Sequence, residues 1–108
     1  MPEKWELFID ALKDDSKKLA KAELKQLIKK TLRDRDVFIK GQGIKLKRYL
    51  NQLEAKQITR NQFKSYVQDL KAIVEIRSLK MRVGAKARTQ KLAMAIGDLI
   101  LDKLVDLL

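Results

Sequence analysis

The chain has neither a cysteine nor a histidine in its 108 residues. Together these absences remove disulfides, thiolate or imidazole zinc sites, cysteine nucleophiles and histidine-based triads. Carboxylates remain as ligands for a hard cation. They are scattered singly or regularly spaced, however, and no loop carries the alternating Asp/Asn ligands and closing Glu of a calcium site. No metal, cofactor or small-molecule ligand is expected. Proline occurs once and glycine four times, which leaves little support for strands or irregular chain. Aromatic residues make up 6%, too few for an extended base-stacking surface.

Long apolar runs are missing as well. The most apolar stretch, residues 92–108, is interrupted by Asp98, Asp102, Lys103 and Asp106 and is too short and too charged to span a bilayer comfortably. The opening "MPEKWELFID" lacks the apolar run and cleavage site of a secretory signal, and its acids disfavour a transit peptide. A cytoplasmic protein without a membrane span is the expectation.

What the chain has is positive charge. Lys and Arg number 25 against 14 Asp and Glu, a formal net charge of +11. Such an excess favours acidic partners, whether nucleic acid, anionic lipid or acidic protein. The length is that of one domain, residues 1–108, with a modest core.

Apolar spacing is helical almost throughout. Trp5, Phe8, Ile9 and Leu12 recur at i, i+3, i+4 and i+7, and Pro2 suits a first turn, so a short helix is predicted over 3–14. Asp14, Asp15 and Ser16 then supply caps for a long helix over 17–56, with Lys17, Lys21, Lys25 and Lys29 as a solvated row. Gly41 and Gly43 each cost roughly 1 kcal/mol in a helix interior, which predicts a kink at 41–43. Their G-x-G lacks the third glycine, the preceding strand and the Lys-Ser/Thr of a phosphate loop. In "ITRNQF", Thr59 and Gln62 have the spacing of a capping box, with Ile58 and Phe63 placed for a hydrophobic staple. A helix over 60–108 follows. The predicted fold is all-α: a short N-terminal helix and a long two-arm antiparallel helical hairpin, assembling as an oligomeric helical bundle.

The second arm is too long for its chain. One helix over 60–108 would measure about 73 Å at ~1.5 Å per residue, against a radius of gyration near ~13 Å for a compact domain. Either it breaks, near 84–89, or a partner covers part of it. Its projection has two apolar stripes. One collects Phe63, Val67, Leu70, Val74, Met81, Ala85, Leu92, Ile96 and Leu99; the other, nearly opposite, collects Ile76, Leu79, Val83, Ala87, Met94, Leu101, Val105 and Leu108. Two stripes ask for two neighbours. Self-association is therefore expected through Met81, Ala85, Leu92, Ala93, Ile96, Gly97, Leu99, Leu101, Leu104 and Val105, with two copies crossing near Ala93. In that crossing Arg88 would face Asp98 and Lys80 would face Asp106 of the other copy, setting register rather than affinity.

These features rank the functions. First comes a non-enzymatic assembly or protein-interaction module, a homo-oligomer. Second is a nucleic-acid binder of weak sequence preference, with phosphate contacts from Lys45, Lys47, Arg48, Arg77, Arg82, Lys86 and Arg88. Peripheral membrane association is third, since the apolar helices carry acids rather than cations on their polar sides. No grouping of carboxylates nominates a catalytic residue.

Overall fold

The computed structural model describes residues 3–12 and 18–108. Among them every regular element is a helix. The elements are α1 (Lys4–Ala11), α2 (Lys18–Leu32), α3 (Val37–Glu54), α4 (Arg60–Ser78) and α5 (Val83–Ala95). The last continues through wide π-helical turns (Ile96–Leu104) into a final turn, α6 (Val105–Leu107). The all-α expectation holds. Pro2, the caps at Asp14, Asp15 and Ser16, and Lys17 of the Lys row lie outside the described residues.

Both long arms are divided, and neither divides at its glycines. The first breaks at 33–36. Asp34 Oδ1 accepts the backbone N–H of Asp36 at 2.9 Å, drawing the chain into a turn. Asp36 then caps α3 by accepting from the N–H groups of Phe38 (2.9 Å) and Ile39 (3.2 Å). Gly41 and Gly43 lie inside α3 without ending it. Gly43 permits close approach: a Cβ there would come within 3.1 Å of the Leu32 backbone nitrogen and of Thr31 Cγ2. A Cβ at Gly41 would meet nothing within 4 Å. Gly41→Ala should therefore raise stability by about 0.5–1 kcal/mol through helix propensity, whereas Gly43→Ala should lower it by about 1–3 kcal/mol by forcing α2 and α3 apart. Urea unfolding of the two variants checks the opposite signs.

The second arm breaks at 79–82, ahead of the 84–89 expected. The N–H groups of Leu79, Lys80 and Met81 each bond to the carbonyl three residues back, tightening the end of α4. Ser78, buried, donates its hydroxyl to the Glu75 carbonyl at 2.6 Å. Gly84 instead lies in the first turn of α5, and Thr89 is fully buried within that helix, donating to the Ala85 carbonyl at 2.7 Å. The fold measures 40 Å in its longest direction with a radius of gyration of 13.4 Å, so an unbroken helix over 60–108 does not fit.

Between the arms, the capping box forms as the spacing predicts. Thr59 Oγ1 accepts the Gln62 N–H at 3.1 Å and Gln62 Oε1 accepts the Thr59 N–H at 2.8 Å.

One core draws on every main helix. Trp5 and Ile9 come from α1, Leu24 and Ile28 from α2, Ile39, Leu46 and Leu50 from α3, and Phe63, Val67, Leu70 and Val74 from α4. Leu92, Ala93, Ile96, Ile100, Leu104 and Val105 complete it. The Lys row of α2 is tied down rather than simply solvated: Lys25 pairs with Asp10 at 2.7 Å, Lys29 with Glu6 at 3.3 Å, and Lys21 donates to the Leu12 carbonyl. These contacts clamp α1 onto α2.

Candidate anion-binding cleft at two helix corners

The turn between α2 and α3 and the turn between α4 and α5 lie side by side. Arg88 of α5 joins them, its Nε donating to Asp34 Oδ2 at 3.0 Å and its Nη2 to Oδ1 at 3.3 Å. A second link is the guanidinium of Arg77, 5.0 Å from the centre of the Phe38 ring. Three hollows open along this seam. One of about 470 Å³ is lined by Arg35, Asp36, Val37, Phe38, Arg77, Lys80, Met81, Arg82 and Ala85. It shares Arg35 with a neighbour of about 460 Å³ that adds Gln26, Lys30, Arg33, Asp34 and Arg88. The third, about 270 Å³, shares Lys30, Asp34 and Arg88 and adds Lys91.

The chemistry of this band is one-sided. Eight cations line it (Lys30, Arg33, Arg35, Arg77, Lys80, Arg82, Arg88 and Lys91) against two carboxylates, Asp34 and Asp36. Both carboxylates are occupied. Asp36 caps α3, and Asp34 holds the Asp36 N–H and the Arg88 fork. Burial of Asp34 opposes its ionisation, but the hydrogen bonds from Asp36 and Arg88 outweigh burial and hold the carboxyl below its ordinary range.

A depressed carboxyl contributes stability that is complete above the unfolded-state pKa, near ~3.9, and is lost as pH falls through the lower folded value. Asp34→Asn should thus unfold less steeply with acid than the parent between about pH 5 and pH 2. Thermal unfolding across that range checks it.

The sequence-based phosphate contacts divide between two places. Arg77, Arg82 and Arg88 line the band. Lys47 and Arg48 line a separate hollow of about 560 Å³ beside α1 and α3, which has no residue in common with the band. Lys47 is paired there with Glu3 at 2.6 Å, and Arg48 lies 5.7 Å from the centre of the Tyr49 ring. That Lys47 bond, then one from Trp5 Nε1, holds the Glu3 carboxyl below its usual range. Lys45 and Lys86 line none of these hollows. Sequence reasoning missed Lys30, Arg33, Arg35 and Lys91 and gave Lys80 to the contact between copies. Arg33 and Arg35 alternate with Asp34 and Asp36, which makes the stretch look locally neutral; the Asp-x-Asp ahead of "VFI" is the available sign that those acids are spent on a turn and a cap.

The surface expected for self-association is mostly inside the molecule. Leu92, Ala93, Ile96, Leu104 and Val105 are buried in the chain's own core, so these side chains form no contact surface between copies. Met81, Ala85, Gly97, Leu99 and Leu101 are half-buried. Gly97 is covered by Lys71, whose Cε would lie 2.9 Å from an added Cβ. Arg88 is engaged by Asp34 instead of Asp98, and Lys80 lines the band. The cause is the break at 79–82, which folds α5 back so that the chain's own α4 and α2 cover the first stripe. Of the apolar helices weighed for membrane association, α1 buries Trp5 and Ile9, and the last segment buries Leu92, Ile96, Ile100 and Leu104, in the chain's own core. No helix among the described residues is long and apolar enough to cross a membrane, and no group of acids there could hold a metal ion.

No family model, curated protein or solved structure matches this chain, so the reading of the cleft rests on its own residues.

Proposed function

We propose that this protein is a non-enzymatic binder of polyanions, and of the sugar-phosphate backbone of nucleic acid in particular. The supporting observation is the continuous band of eight cations at the two helix corners, whose only two acids are consumed by internal bonds. Five of the eight are arginines, whose forked donors match phosphate oxygens. The lining holds a single amide side chain, Gln26, so recognition is of charge and shape with little reading of bases.

Fluorescence anisotropy of a labelled duplex, repeated over a salt series, tests this. A contact with five to eight phosphates gives a log–log slope of about −4 to −7. Duplex binding that is absent at low salt, or indifferent to salt, rejects the reading.

Assembly through a protein surface is the second reading. Its support is the uncovered part of the second stripe: Ile76, Leu79, Val83 and Met94 are 61%, 71%, 86% and 66% exposed. Ile76 closes α4, Leu79 lies in the turn, and Val83 and Met94 stand on α5; exposed aliphatic side chains of this kind are characteristic of contact with another protein.

A further inference from the structure

We infer that the outward face of α5 seats a second copy of this chain, docked antiparallel about a two-fold axis at the level of Leu92. This rests on the assembly reading and, Arg82 apart, uses no residue of the cation band. Leu92, Ala93 and Ile96 turn inward to the core. At 3.6 residues per turn the opposite side carries Val83, Ala87, Gln90 and Met94, spaced i, i+4, i+7 and i+11, and all four are exposed. Further along, in the π turns, Asp98 and Asp102 are also exposed.

Charge decides which partner fits. The first half of the face is flanked by Arg82 and Lys86, and no acid occurs from Ile76 through Gly97. The second half ends in Asp98 and Asp102, and no salt bridge among the described residues uses either. A face basic at one end, acidic at the other and largely apolar between is complementary to itself reversed. With the axis at Leu92, Lys86 of each copy faces Asp98 of the other. Arg82 faces Asp102, Val83 meets the half-buried Leu101, and Gln90 and Met94 meet at the centre. A uniformly acidic helix from another protein would satisfy the basic end but set acid against Asp98 and Asp102. A parallel second copy would set like against like.

Sedimentation equilibrium from about 1 to about 100 µM reads the association. The parent chain should dimerise. Lys86→Asp alone or Asp98→Lys alone should weaken the dimer by about tenfold or more, because each variant sets like charges opposite one another. An equimolar mixture of the two should recover it, since one variant then supplies acids at both positions and the other supplies cations. Circular dichroism verifies that both variants keep their helix content. A parent that dimerises while the mixture fails to recover overturns this interface and leaves the assembly reading standing. A parent that is monomeric throughout overturns the inference and limits the assembly reading to contact with a different protein.

Discussion

Replacing Arg33, Arg35 and Lys80 together by Gln should weaken duplex binding on the order of 100-fold at low salt and make the salt slope shallower by roughly 2 to 3. The choice of residues matters. All three line the band, and no hydrogen bond or salt bridge of the described residues uses their side chains. Their loss should therefore change stability by no more than about 0.5 kcal/mol each. Arg88 is a poorer probe because removing it strands the partly buried Asp34. A second triple variant, Lys40, Lys64 and Lys103 to Gln, removes the same charge from exposed positions outside the band. Its binding should fall far less. Equal losses in both triples would mean that overall charge, with no localised cleft, draws the polyanion.

Trp5→Ala should be the most damaging single change to the fold, costing about 3–5 kcal/mol. Trp5 is 1% exposed, and beside it in α1 Ile9 is fully buried. The indole also donates to Glu3 Oε2 at 2.6 Å, and Glu3 in turn accepts from Lys47 of α3. Truncation therefore leaves a cavity where α1 meets α3 and loosens the ion pair over it. Against a total stability of about 5–15 kcal/mol this is a large fraction. The expected fall in Tm is roughly 12–25 °C, read by far-ultraviolet circular dichroism because the variant lacks the only tryptophan. A drop of only a few degrees would show α1 to be an appendage.

The helical class was legible because it rests on spacing within single segments, and the capping box was legible for the same reason. Thr59 and Gln62 satisfy each other within four residues, so no distant part of the chain is needed. The break at 33–36 was also local, written in Asp34 and Asp36, but charge and cap compete for the same letters. Read as ion-pairing partners of Arg33 and Arg35, they conceal the turn. Nothing so local marks the break at 79–82, where Leu79 through Met81 simply tighten and Arg82 enters α5 with no side-chain cap. Both apolar stripes of the last segment could be read from the sequence as well; which one the chain covers could not. Folding back at 79–82 assigns the Phe63–Val74 and Leu92–Ile96 stripe to the core and leaves Val83 and Met94 outside. Beyond Ala95 the i→i+5 bonding of the π turns also shifts every projected position, which a straight-helix projection cannot anticipate.

By itself, then, the sequence determined a basic, all-helical chain with two opposed apolar stripes and one certain helix start. Tertiary structure alone decided the cleft, because Arg88 and Asp34 stand 54 residues apart and only the packing of α5 against α2 brings their corners together.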